Sequence, residues 1–301
     1  MRKQKILKVK HAVSGFTLIE LVMVMVMVAI ISGRAAIFIK GPITQYMSVS
    51  HRAELTDLAD TALYKLAGDI GGAVPNSIRV GNCAGATCLE FLPSKAGGRY
   101  RVALSSATGT ENILTFGTAN TAGKFDIIGP TITFASGDYV VIGTNASISY
   151  PDYDTTNALG VLRAYTGAAS SVQSVQIAAP QISTAFGSVS HHFYVIDGAQ
   201  QAVTYACENS GMSSDKKTGL GQLKRYWKYG FYTTQPTVPI SVQAPVPPNA
   251  TAVQSAMLID KVSGCAISYN AALSLLDVRL SITSGGETVS LYQQIHVSNT
   301  P

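Results

Sequence analysis

The chain reads as an α+β protein, one long N-terminal helix followed by an antiparallel β-rich domain. Three observations point there. Residues 16–39 form a nearly unbroken apolar run. Apolar residues then recur at intervals of three and four as far as Ile70, the mark of a helix with one buried face. From Ser77 onward the composition shifts to Thr, Ser, Val, Ile, Tyr and Gly with frequent turn residues, the mark of antiparallel strands. The expected organisation is a basic leader (1–15), a membrane helix (16–39), its amphipathic continuation (40–74) and a β-rich domain (75–301) with room for an inserted lobe. No internal repeat is visible.

The leader carries Arg2, Lys3, Lys5, Lys8 and Lys10 and no acid. An ordinary secretory signal places its small-residue cleavage site after the apolar core. Here the small pair Ser14-Gly15 precedes that core. A cut at this pair removes the charges and keeps the hydrophobic helix. Residues 16–39 would span about 36 Å as a helix, enough to cross a hydrocarbon layer of about 30 Å. The leader charges hold the start on the cytoplasmic side and leave the bulk of the chain in the periplasm. Glu20 stands at the head of the run, where a carboxylate entering lipid costs about 3 kcal/mol and calls for a functional reason. Arg34 lies near the far end, where a long side chain can snorkel to the interface.

The whole chain carries 22 Lys+Arg against 17 Asp+Glu. Loss of the five leader cations leaves 17 against 17, a neutral product. That balance argues against general nucleic-acid binding through net charge. The 47% hydrophobic content is ample for a sizeable core.

Gly41-Pro42 is expected to kink the helix rather than end it. Tyr46, Val49, Ala53, Leu55, Leu58, Ala62, Leu66 and Ile70 supply its apolar stripe, and Arg52, Glu54, Asp57, Asp60 and Lys65 much of its polar face. Gly71-Gly72 and Pro75-Asn76 end it. Farther on, 192–196 and 202–206 read as a hairpin around Asp197-Gly198. Residues 223–232 read as a further strand, 236–248 as a proline-rich loop, and 275–283 with 287–297 as a final hairpin around Ser284-Gly285-Gly286. Residues 81–180 read as many short strands without a legible register.

Four cysteines, an even number in a domain facing an oxidising compartment, point to disulfides. Of the three pairings, Cys83–Cys88 with Cys207–Cys265 is expected. Cys-Ala-Gly-Ala-Thr-Cys is a compact loop, and the two distant cysteines each flank strand-like sequence. No His lies near either pair, which argues against a metal.

One basic, aromatic-rich cluster stands out as a possible binding patch: Lys224, Arg225, Trp227 and Lys228, with Lys216, Lys217 and neighbouring tyrosines. Such interleaving can stack sugars or bases while cations meet phosphates. The favoured reading is an amphipathic strand with its lysines in solvent. Asp152-Tyr153-Asp154 with Asn157 offers oxygen ligands, but without the glycine turn and terminal Glu of a calcium loop it reads as a polar turn. His191-His192 is expected to alternate across a strand, a poor arrangement for a shared metal. No nucleophile elbow, phosphate loop or metalloprotease motif is present, so no enzymatic activity, cofactor or metal is expected.

Ser14-Gly15-Phe16-Thr17-Leu18-Ile19-Glu20 resembles the processing site of type IV prepilins and pseudopilins. The resemblance implies cleavage between Gly15 and Phe16 by a prepilin peptidase and N-methylation of Phe16. It implies that Glu20, fifth after the cut, neutralises the N-terminal amine of an adjacent subunit. It also implies other major and minor pilins and an inner-membrane assembly platform as partners, and passage from the inner membrane to a pilus at the cell surface. Arg52-Ala53-Glu54-Leu55-Thr56-Asp57-Leu58-Ala59-Asp60-Thr61-Ala62-Leu63, Val74-Pro75-Asn76-Ser77-Ile78-Arg79-Val80 and Gln294-Ile295-His296-Val297-Ser298-Asn299 are similar to the MshO group of minor pilins in mannose-sensitive haemagglutinin (MSHA) pili. That implies a structural subunit of pilus initiation or assembly. A J-like minor pseudopilin of type II secretion, or a fibre-displayed adhesin or DNA-binding subunit, stands as the alternative. Retention of Glu20 argues, by resemblance, against the extreme tip of a fibre.

Overall fold

The computed structural model describes residues 15–116, 123–143, 161–178, 190–232, 234–240 and 253–298. The chain divides into two compact units, Met1–His51 and Arg52–Pro301. Helix α1, Leu18–Gly71, begins in the first and ends in the second, and continues through Pro42. Its apolar side chains from Leu18 to Ile31 are all exposed.

Among the described residues, the second unit holds the last turns of α1 and fifteen strands. In chain order these are β1 (Arg79–Cys83), β2 (Ala86–Phe91), β3 (Ser94–Tyr100), β4 (Lys124–Ile128), β5 (Ile132–Thr133), β6 (Tyr139–Ile142), β7 (Leu162–Ala164) and β8 (Ser171–Val172). They continue as β9 (Ser174–Gln176), β10 (His192–Ile196), β11 (Val203–Glu208), β12 (Gly221–Trp227), β13 (Gln254–Asn270), β14 (Leu275–Ser284) and β15 (Glu287–His296). A seven-stranded sheet runs β1-β2-β11-β12-β13-β14-β15, a six-stranded sheet runs β7-β6-β10-β3-β4-β9, and β5 pairs with β8. Every pairing is antiparallel. The architecture is α+β, with the helix on one face of the larger sheet.

Side-chain alternation explains how the layers stack. On β2, Leu89 and Phe91 join the core under the helix, while Ala86 and Cys88 face a second core. β11 repeats the pattern, with Val203, Tyr205 and Cys207 on the helix side and Ala206 on the other, where Ala202, just before the strand, also packs. That second core takes Tyr139, Val141 and Ile196 from the six-stranded sheet, so the two sheets pack face to face. A third core, built on Tyr100, Phe125, Val140 and Phe193, fills the outer side of the smaller sheet. The smaller sheet is therefore buried on both faces.

Four expectations are revised. The buried helical stripe is Leu55, Ala59, Ala62, Leu63, Leu66 and Ile70, whereas Tyr46, Val49, Ala53 and Leu58 are exposed. Small alanines let the helix approach the sheet closely, so Ala59 rather than Leu58 takes the inward position. The hairpin expected between 192–196 and 202–206 does not form, because β10 pairs with β3 and β6 and β11 with β2 and β12. The intervening turn is helical in type: the N–H groups of Gln200 and Gln201 both donate to the Asp197 carbonyl (3.0 and 2.9 Å). Gly198 donates to the buried Asp138 carboxylate (3.2 Å), and a Cβ there would stand 2.1 Å from the Gly137 carbonyl oxygen, so the turn is pinned against the smaller sheet and hands the chain from one sheet to the other.

The strand read at 223–232 stops at Trp227, because Lys228 takes a left-handed conformation (φ 61°). Strand β13, 17 residues long, runs through Cys265, where the sequence reading marked strand-like residues without giving them bounds. The final hairpin forms as read, with Leu275 opposite His296 and Ser284 opposite Glu287.

Cys207 and Cys265 are bonded, joining β11 to the far half of β13 past the start of β12. Cys83 and Cys88 are buried free thiols instead of the expected second disulfide. The reason lies in the register. Ala84 and Gly85 (φ 57° and 89°) make a two-residue turn that sets Cys83 opposite Ala86 and Cys88 opposite Gly81, so the cysteines are diagonal neighbours.

Candidate functional site

Gly15, Phe16 and Thr17 lie outside the helix, which starts at Leu18. Thr17 fixes that start. Its carbonyl accepts the N–H of Glu20 (3.1 Å) and of Leu21 (3.2 Å), and its hydroxyl also accepts the Glu20 N–H (3.4 Å). Thr17-Leu18-Ile19-Glu20 thus has the spacing of a capping box, a signal the sequence reading missed. The consequence for chemistry is direct. The Gly15–Phe16 bond precedes the first helical turn in non-helical backbone, nothing stands within 4 Å of a Cβ built on Gly15, and Phe16 is 80% exposed. Among the described residues, none packs over Gly15 or Phe16. Glu20 is exposed in the first turn, where the helix dipole favours an acid. The helix behind it has a mean hydropathy of 2.4 over its most apolar window, none of it buried within the chain. Such a surface is matched by lipid or by other apolar helices.

The candidate patch on β12 is divided by the sheet. Arg225 and Trp227 face the helix, with the guanidinium 5.0 Å from the centre of the Trp227 ring. Arg225 Nε donates to Asp69 Oδ2 (2.8 Å), Nη2 donates to Gln200 Oε1 (2.9 Å), and the Tyr205 hydroxyl donates to the same Asp69 oxygen (2.8 Å). Lys65 completes the cluster at 3.3 Å from Asp69. Burial pushes the Asp69 carboxyl up, but the hydrogen bonds from Tyr205 and Arg225, with the charges of Arg225 and Lys65, outweigh it and hold it below its ordinary value. Lys224 points to the other face, paired with Glu208 (2.9 Å), which also accepts the Tyr226 hydroxyl. Lys228 lies past the strand end, its N–H donating to the Gln200 carbonyl (2.8 Å). The four residues therefore do not share one face, and Lys224 and Arg225 are already ion-paired.

Asp69, Lys65 and Arg225, with Lys95, Gln200 and Gly68, line an open polar cavity of about 340 Å³. Between the two sheets, Arg79 donates to Glu90 (2.5 Å) and to the Tyr232 carbonyl (2.9 Å). Burial raises the Glu90 carboxyl despite that partner. The contact between the Cys83 and Cys88 thiols pushes Cys88 up, burial adding to it, and holds Cys83 below its ordinary value against the opposing effect of burial. His191 precedes β10 with a left-handed φ of 59° and packs edge-on to Tyr100, while His192 opens the strand opposite Arg99. Among the described residues, no three of His, Cys, Asp or Glu converge as a metal site. Asp152, Tyr153, Asp154 and Asn157 lie outside the described residues.

Residues 10–33 match the family described as the prokaryotic N-terminal methylation motif. No curated protein and no solved structure matches the chain. The matched motif, set on an exposed apolar helix that leads into an antiparallel β domain, supports a type IV pilin- or pseudopilin-type protein processed as a prepilin.

Proposed function

We propose that the chain is a minor type IV pilin of the MSHA type, most like the MshO group, and acts as a structural subunit in pilus initiation or assembly. The observation that carries this reading is the capped helix start immediately after an accessible Gly15–Phe16 bond, within the matched motif. Prepilin peptidase removes residues 1–15 on the cytoplasmic side and methylates Phe16. Residues 16–39 hold the product in the inner membrane, 40–74 continue the helix, and 75–301 fold in the periplasm before the subunit joins a fibre. There Glu20 meets the Phe16 amine of a neighbouring subunit, since two unpaired charges in a low-dielectric environment would each be costly. A pseudopilin of a type II secretion system has the same N-terminal chemistry, and loss of secretion in place of loss of pili on gene deletion would select it.

The test is made on the full chain in cells that assemble the fibre. The mature N-terminus is expected to be methylated Phe16, read by mass spectrometry. Glu20→Ala is expected to be processed normally and to fall about tenfold in sheared fibres, the effect of about 1.4 kcal/mol lost per subunit contact. Equal incorporation of Glu20→Ala would remove the role given to this acid.

A further inference from the structure

β15 ends the seven-stranded sheet on one side. It pairs with β14 through ten consecutive positions without a bulge, which fixes the main-chain groups that face outward. The two-residue turn Gly285-Gly286 (φ 61° and 82°) makes Ser284 and Glu287 a hydrogen-bonded pair. Past the strand, the Val297 N–H donates inward to the Ser274 carbonyl (2.8 Å). Alternation between these two points turns the N–H and C=O groups of Thr288, Ser290, Tyr292, Gln294 and His296 away from the sheet. Among the described residues, no main-chain group bonds to that outer row.

An open row of this kind templates a further strand, and soluble proteins blunt it with charge, proline or a bulge. β15 has no charged residue and no proline from Thr288 to Ile295, and no bulge. Its one acid, Glu287, is held by Arg52 at 2.5 Å. Val289 and Leu291 pack against the core under the helix, and Tyr292 is 59% exposed on the other face.

We infer that the outer edge of β15 is a strand-addition site for an extended, uncharged segment of a different subunit in the same fibre. The inference rests on the fibre-subunit reading above. Main-chain donors and acceptors give the affinity, and apolar side chains at every second position of the incoming segment extend the row of Val289, Leu291 and Ile295. A second copy joined antiparallel, edge to edge, is a poor occupant. The two-fold axis through that junction reverses the direction of residues 52–71 in the partner, whereas subunits anchored from one side of a membrane run parallel.

The test uses the full chain in fibre-assembling cells, with a photoreactive phenylalanine analogue in place of Tyr292. Ser290→Pro removes one outward N–H and no main-chain bond to β14, and Ser290→Lys keeps the backbone while adding a charge. Both lose the Ser281–Ser290 hydroxyl contact (2.7 Å), for which Ser290→Ala, expected to behave as wild type, is the control. The unaltered edge is expected to give an adduct to one other fibre subunit, mapped to an extended uncharged segment. Both variants are expected to lower that adduct and the chain's share of sheared fibres about tenfold, with cleavage at Gly15 and the melting temperature unchanged. An adduct to a second copy, no adduct, or folded Ser290→Pro and Ser290→Lys chains that behave as wild type overturn the inference. An unaltered chain missing from fibres overturns the fibre reading with it, whereas fibres containing both variants at wild-type levels overturn the strand-addition site alone.

Discussion

Asp69 receives Tyr205 and Arg225 on one carboxylate oxygen and Lys65 on the other, and so ties the last turn of the helix to the sheet. Asp69→Asn is expected to destabilise the second unit by about 2 kcal/mol, read from urea unfolding at neutral pH. Because the folded carboxyl sits below its unfolded value of 3.8, its contribution is complete above that value and is lost as pH falls through the folded one. Asp69→Asn should therefore flatten the loss of stability between about pH 5 and pH 2, and an unchanged acid limb would refute the assignment. This cluster was illegible in the sequence, because its members come from positions 65, 69, 205 and 225 and no spacing links them. The Gly15–Phe16 segment was legible because its chemistry is contiguous, with peptide bond, cap and acid all within six residues.

Within elements, periodicity gives the type and packing decides the phase. The helix was evident, yet Leu58 points out and Ala59 points in, because burial follows the angle of approach to the sheet and not side-chain size alone. Leu66→Ala should cost about 3 kcal/mol and Leu58→Ala under about 0.5 kcal/mol, measured by chemical denaturation of the same preparation. The bounds of β13 were not legible because Asp260, Lys261 and Gly264 interrupt its apolar pattern where the ladder shifts between Val262 and Gly264. The disulfide between β11 and β13 closes a separation of 58 residues. Replacing Cys207 and Cys265 together by Ser should cost about 4 kcal/mol. Alkylation should label two thiols per chain after unfolding and none before, and a count of zero after unfolding would mean that Cys83 and Cys88 are also bonded.

For the molecule as a whole, the second unit carries its own cores, and all of its strands pair within it. Residues 52–301, freed of the apolar segment, are expected to be soluble and to melt in a cooperative transition by calorimetry. A broad or absent transition would show that the first unit is needed for folding. The α+β class was readable, since one compositional shift separates helix from strands. The stacking of two sheets was not readable. Central strands buried on both faces lose the apolar-polar alternation that marks a half-exposed strand, and the sequence then looks merely apolar.

β11 has the helix core on one side and the inter-sheet core on the other, as does its neighbour β2. These strands have a side-chain reading frame with no silent phase. An inserted or deleted residue in β11 would send Tyr205 and Cys207 into the wrong layer, break the link to Cys265 and misplace Thr204 beside Glu90, all at once. Residues inserted by design should therefore be tolerated in the connections and not in β2 or β11, whose side chains can be exchanged but whose lengths cannot.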